Sequence, residues 1–148
     1  MIARRKETQI EIELAALHRL DLRNCNLQTV DFKRGNFDRA LMTSSHMELA
    51  HMSSIKLNGA FLYSAKLSWA WLNWAQLSGA NFTDVDARRT AVNSTDLSDL
   101  LGLTEVQIHL MFGDGATKLP KGVKRPAQWT AEKFEFTGFF EQWTNANQ

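Results

Sequence analysis

The chain has 148 residues, 44% hydrophobic and 22% charged, with a formal net charge of +1. That length suits one domain with a sizeable core, the apolar content excludes a disordered polymer, and the small charge gives no whole-chain attraction to nucleic acid or an anionic membrane. Cys25 is the single cysteine, so the chain has no internal disulfide and suits a reducing cytoplasm; no apolar run approaches the ~18 residues of a membrane span, and MIARRKETQIEIEL lacks the apolar centre of a secretory leader.

Residues 1–9, with Arg4, Arg5 and Lys6, are polar and predict a lead-in. A period of five then begins and holds over residues 10–99. Every fifth residue from Ile12 to Leu97 is large and apolar, through Leu22, Phe32, Met42, Met52, Leu62, Leu72 and Phe82, with Ala87 the one weak member. Two positions before most of them stands a small or β-branched residue, such as Ala40, Ala50, Ala60, Ala70 and Ala80. The slot between them is polar, as at Asp21, Asn26, Asp31, Asn36, Asn81, Asp86 and Asp96. A helix wants a period of 3.6 and a strand a period of 2. A period of five instead predicts a chain that turns a corner every fifth residue and turns one large and one small side chain inward in each unit. Stacked turns then bury a continuous column and pair their backbones with the coils on either side. ETQIEIELAALHRL also allows a capping helix with Ile10, Leu14 and Leu17 on one face. The stretch from Ala87 to Val92 is the weakest and a place for a bulge or bend.

ANF at 80–82, AKL at 65–67, AQL at 75–77 and TDL at 95–97 resemble the A(D/N)Lxx consensus of the pentapeptide repeat family. The resemblance implies an all-β architecture, a right-handed quadrilateral parallel β-helix with four units to a coil and residues twenty apart in a stack, capped by a short C-terminal helix. At strand spacing, residues 10–99 would make about 22 Å of rod. The run GLTEVQIHLMFGDGATKLPKGVKRPAQW at 102–129 is also similar to a tail common in bacterial members, which implies a bacterial or bacteriophage origin.

Residues 100–129 therefore predict a capping helix followed by this tail. Thr104 and Gln107 form a capping-box pair; Val106, Ile108, Met111 and Phe112 supply apolar surface, and Gly113 is the expected stop. Residues 130–148 form an aromatic extension in which Phe134, Phe136, Phe139, Phe140 and Trp143 are candidate tail or dimer contacts, four of them at helical spacing.

In this register Trp69, Trp71 and Trp74 point outward. With Leu41, Leu49, Phe61 and Tyr63 they predict one apolar patch across three faces, the candidate protein-contact surface. The chain's own tail, a second copy in a homodimer, or a foreign protein could cover it. No catalytic, cofactor or metal constellation emerges. His46 and His51 occupy equivalent slots on neighbouring faces and do not converge as zinc ligands must, Asp31 is expected beneath His51, and Cys25 takes a small inward slot. The chain is expected to be no enzyme and to need no cofactor. The function predicted is a non-enzymatic rod that binds a protein partner or itself.

Some relatives mimic a DNA duplex and inhibit or protect DNA gyrase or topoisomerase IV; the resemblance brings that alternative, together with a phage-encoded inhibitor of a host system. Residues 20–99 carry eight basic and eight acidic residues, which disfavours the acidic rod that mimicry needs. Direct nucleic-acid binding would rest on Lys118, Lys121, Lys124 and Arg125, with Trp129 stacking; a solvated basic tail accounts for the same residues, and nucleic acid is the less favoured partner.

Overall fold

A computed structural model describes residues 20–129. The five-residue period is realised throughout. Each pentad runs through its small residue, its bridge residue and its large residue, then turns. The bridges are parallel and join residues twenty apart, as in Asp21↔Leu41, Asn26↔His46, Asp31↔His51 and Asn36↔Lys56. Four units thus complete one coil. Face 1 holds the units centred on Leu22, Met42, Leu62 and Phe82; face 2 those on Leu27, Met47, Leu67 and Ala87; face 3 those on Phe32, Met52, Leu72 and Val92; face 4 those on Phe37, Leu57, Leu77 and Leu97. Among the described residues the extended pieces are isolated single-residue bridges and no longer strands, because the corner comes too soon for a ladder to grow.

The hydrogen bonds explain the sequence pattern. The large residue donates its N–H one coil onward, as Leu22 does to Leu41 O at 2.7 Å, and Leu41 N–H donates back to Leu20 O at 2.8 Å. The corner is a β-turn closed by Cys25 N–H to Leu22 O at 3.2 Å, with Asn24 at φ 58, the left-handed second residue of a type II turn. The N–H after the large residue has no backbone acceptor in this scheme, and the polar slot supplies one. Arg23 N–H donates to Asp21 Oδ1 at 3.1 Å, Lys33 N–H to Asp31 Oδ1 at 3.0 Å and Thr83 N–H to Asn81 Oδ1 at 3.0 Å. The Asp or Asn of the repeat is therefore an acceptor for its own corner.

The inward residues form one column, from Leu22 at 1% exposure to Leu97 at 0%. Ala87 and Val92 are buried and the bridges beside them, Lys66↔Asp86 and Trp71↔Ala91, stay in register. The expected bulge is absent because Thr90 Oγ1 donates to Leu67 O at 2.8 Å inside the small slot, leaving no orphan hydroxyl. Gly35 stands where Phe32 and Phe37 meet edge to face, their centroids 5.0 Å apart; a Cβ at Gly35 would lie 2.5 Å from the Phe37 ring. Cys25, in the first described coil, is only partly buried.

Coil geometry continues past residue 99, further than the period. Leu101 bridges Asn81, Phe112 bridges Ala91 and Lys118 bridges Asp96, so a fifth coil is built without pentads. The helix α1, Glu105–Leu110, stands where face 2 would be, and Arg89 N–H donates to Leu110 O at 2.6 Å. The capping box forms as expected: Gln107 N–H donates to Thr104 Oγ1 at 3.2 Å, and Thr104 N–H to Gln107 Oε1 at 2.8 Å. Gln107 Nε2 also donates to Phe82 O and Val85 O of the fourth coil. Of the expected apolar face, Ile108 and Met111 are buried and Val106 is exposed. α1 ends at Leu110 with Met111 as its C-cap, before Gly113 is reached. Gly113 serves another purpose: a Cβ there would lie 2.5 Å from the Trp129 ring. The lead-in, the units at 10–19 with their alternative helix, and the extension from 130 onward lie outside the described residues.

Candidate protein-contact surface

The outward apolar residues do not form one patch. Leu41 and Phe61 stack along the middle of face 1, where Leu41 bridges Phe61, and Tyr63 follows at the face 1–2 corner. Leu49 and Trp69 lie at the corner between faces 2 and 3, Trp71 in the middle of face 3, and Trp74 at the face 3–4 corner. Phe61 and Trp71 are ten residues apart, half a coil, and so stand on opposite sides. Between them runs the face 2 column Asn26–His46–Lys66–Asp86, joined bridge by bridge. The single patch expected from the register is thus two strips, because each pentad advances a quarter turn and a polar column fills the intervening face.

The two strips differ in cover. On face 1, Phe61 is 41% and Tyr63 45% exposed, and the same column continues through Asn81 to Leu101, which is 57% exposed. Leu101 escaped the pentad pattern because it falls beyond residue 99. On the other side Trp69 and Trp71 are partly buried, while Trp74 remains 56% exposed. Trp71 meets His51 edge to face at 4.5 Å, Trp69 lies 6.3 Å from the Phe112 ring, and the Arg89 guanidinium sits 4.7 Å over Trp69. Trp69, Arg88, Arg89, His109, Phe112 and Gln128 line a cleft of about 590 Å³ beside α1. Leu49, Trp69 and Trp74 hold positive φ of 62, 62 and 57, a conformation costing ~1–2 kcal/mol away from glycine. Phe134, Phe136, Phe139, Phe140 and Trp143 lie outside the described residues.

Face 3 also carries a column that the hydrophobic pattern does not reveal. Ser53, Asn73 and Asn93 occupy equivalent outward slots twenty apart, and all three are buried. Asn73 Oδ1 accepts from Asn93 N–H at 3.0 Å and from Asn93 Nδ2 at 3.1 Å. The recurrence of small polar residues at a spacing of twenty was the available signal.

Charges are interleaved. Asp21 pairs with Arg23 at 2.6 Å, Asp86 with Arg88 at 2.6 Å, and Asp96 with Lys118 at 3.5 Å. The Arg23 hydrogen bonds hold the Asp21 carboxyl down at about 2, and those from Arg88 lower Asp86. Asp114 is buried, which alone would raise its pKa, but hydrogen bonds from Ser94 and Thr117 outweigh that and keep it below the ordinary carboxylate value. The basic tail is partly consumed by the fold: Arg125 donates to Asp114 O at 2.6 Å and Thr117 O at 2.8 Å. Trp129 is 3% exposed and donates to Met111 O, so its ring is not available to stack on a base. Asp31 does lie beneath His51 in the bridge register; burial lowers the His51 pKa, and Asp31 partly opposes this. Among the described residues no cluster of three metal-ligating side chains occurs, and no helix is long and apolar enough to cross a membrane.

Comparison with known proteins agrees with the coil. Residues 60–99 match the family model for pentapeptide repeats in eight copies. No curated protein matches the chain. Among solved structures, the chain is similar to a pentapeptide repeat protein of the Arabidopsis thaliana thylakoid lumen, with 24% identity over 67% of this chain and 61% of that one and a TM-score of 0.51. It is also similar to HetL of the cyanobacterium Nostoc, a pentapeptide repeat protein involved in heterocyst differentiation regulation (20% identity, 69% and 56% covered, TM-score 0.40). A third is QnrB1, a plasmid-mediated fluoroquinolone resistance protein (13% identity, 88% and 72% covered, TM-score 0.40). The chain thus spans 61% of the length of the Arabidopsis protein. Residues 60–99 thus carry pentapeptide repeats, and the single-residue parallel bridges at a spacing of twenty give the described chain the fold of a right-handed β-helix solenoid.

Proposed function

We propose that the chain is a non-enzymatic protein-binding module, a stiff rod that meets its partner through the face 1 strip of Leu41, Phe61, Tyr63 and Leu101. The observation that carries this reading is the outward exposure of Phe61, Tyr63 and Leu101 in one sector, where the polar slots of the repeat would be expected. Aromatic anchors on an otherwise polar surface favour protein contact. The interleaved charges of Asp21–Arg23 and Asp86–Arg88 offer no long acidic face and argue against duplex mimicry. The partner is a second copy or another protein. The fifth coil, with α1 and residues 111–129, serves as the cap of the rod's C-terminal end. That role is supported by the Gln107 bonds to the fourth coil and by the burial of Ile108, Met111 and Trp129.

The test is light scattering across a concentration series, paired with affinity capture from a host lysate. Wild type is compared with Phe61→Ser/Tyr63→Ser/Leu101→Ser, whose changed side chains all lie outside the core. Loss of the dimer or of the captured protein is expected. A variant that keeps both would rule out face 1 as the contact.

A further inference from the structure

The corner between faces 2 and 3 recurs in every coil, and its occupants stack twenty residues apart. Thr29, Leu49, Trp69 and Arg89 hold the same left-handed φ there, at 60, 62, 62 and 59. In the fifth coil α1 replaces the face 2 pentad, so this stack ends on the last turn of a helix, at His109 and Leu110. The cleft of about 590 Å³ opens at that junction. Its size falls within the roughly 300–1,000 Å³ of small-molecule sites.

The lining is of two kinds. Trp69, Leu110, Met111 and Phe112 are apolar, whereas Arg88, Arg89 and His109 are basic, and no carboxylate lines the cleft. The acids nearest in register are engaged elsewhere. Asp86 accepts from Arg88 Nε at 2.8 Å and from Arg88 Nη2 at 2.6 Å. Glu48, two coils below Arg88, pairs with His46 at 3.6 Å. Glu105 stands in the first turn of α1, at the other end of the helix.

Arg89 differs from Arg88. Its guanidinium lies 4.7 Å over the Trp69 ring, and among the described residues its side chain makes no hydrogen bond or ion pair. A stacked guanidinium has given up rotamer freedom in advance and keeps its N–H edge for a carboxylate or phosphate. The end of α1 does not use that edge, because Leu110 O accepts from the Arg89 backbone N–H. His109 adds a second polar atom. Its Nδ1 donates to Glu105 O at 2.8 Å, so Nε2 is the ring nitrogen that remains.

We infer that this cleft binds a small organic anion, a flat ring that carries a carboxylate or a phosphate. Arg89 takes the oxyanion, His109 Nε2 supports it, and the apolar lining receives the ring. This goes beyond the face 1 reading and does not depend on it.

The test is titration calorimetry of the full-length chain with adenosine 5′-monophosphate, 2-naphthoate, adenosine and inorganic phosphate. At least one of the two ring anions should bind with a Kd below about 1 mM. It should bind at least about tenfold more tightly than adenosine or inorganic phosphate. The two ring anions tell a phosphate ligand from a carboxylate one. Arg89→Thr and Trp69→Leu should each weaken that ligand about tenfold or more; Thr29 and Leu49 already occupy the same corner slot, so both replacements suit the backbone. Arg34→Thr removes the same charge at the face 3–4 corner of the first coil and should leave affinity unchanged, as should Phe61→Ser/Tyr63→Ser/Leu101→Ser. Failure of both ring anions to bind the unaltered chain overturns the inference, whatever the stability of the variants. So does inorganic phosphate binding as tightly as the ring anions, or a loss in Arg34→Thr equal to that in Arg89→Thr.

Discussion

The first four coils and the fifth bury the same column by different means. In coils one to four the pentads repeat one solution: a large residue inward, a small residue inward and a left-handed corner, with a carboxamide or carboxylate accepting from that corner at Asp21, Asn26, Asp31, Asn36, Asn81, Asp86 and Asp96. The fifth coil reaches the same register through contacts made once. Asp114 accepts from Ser94 N–H, Ala116 N–H and Thr117 N–H and from the Ser94 and Thr117 hydroxyls. Arg125 ties the two carbonyls beside it, and Trp129 fills the space that Gly113 leaves. Repetition spreads stability over many small, equivalent terms, whereas the terminal coil gathers it into a few side chains.

The sharpest way to break this contrast is Asp114→Ala. Hydrogen bonds to a charged group contribute about 1.5–3 kcal/mol each and are not additive, so a loss of about 3 kcal/mol is expected in urea unfolding. A change under about 0.5 kcal/mol would mean that the fifth coil is not held by this hub. Gly113→Ala should cost about 2 kcal/mol through overpacking against Trp129. Gly35→Ala, inside the repeats, should cost about 1–2 kcal/mol for the same reason, and Phe37→Leu should recover most of it by removing the ring edge. If Gly35→Ala proves the more harmful, the contrast is reversed.

Acid offers a graded version. Asp21, Asp86, Asp96 and Asp114 are all held below their ordinary values. Their stabilisation is therefore complete above the unfolded value near 3.9 and fades as pH falls through the folded values, about 2 for Asp21. The urea midpoint should fall slightly as pH drops below about 6.5, where His51 is charged more readily in the unfolded chain, and decline further below about pH 4 as the carboxylates are protonated. High salt should remove the exposed Asp21–Arg23 part of the decline and spare the buried Asp114 part. The smallest effect belongs to a single corner. Asn26→Ala removes the acceptor for Gln28 N–H and should cost about 0.5–1 kcal/mol; a loss above about 2 kcal/mol would show that the pentads are not interchangeable.

The coil was legible in the sequence because one constraint, two inward side chains per corner, is written eighteen times over residues 10–99. Even the arithmetic that divides the aromatic residues was present, since Phe61 and Trp71 differ by half a coil. What hid the division was hydrophobicity itself, which marks a side chain as apolar and says nothing of the quarter turn between neighbours. The fifth coil was not legible past its capping box. The role of Asp114, beyond the last pentad, depends on Ser94 one coil away, and that of Gly113 on Trp129, sixteen residues on and outside any period. Trp129 and Arg125 read as exposed, basic and aromatic for the same reason, although the fold spends both on itself.

The left-handed corners have a consequence for how such a surface changes over time. Thr29, Leu49, Trp69, Trp74 and Arg89 all accept the same positive φ, though their side chains share no size or chemistry. The scaffold therefore tolerates almost any occupant there for a modest conformational penalty. Binding chemistry can be rewritten one corner at a time while the interior stays untouched, so specificity and fold can evolve on separate accounts.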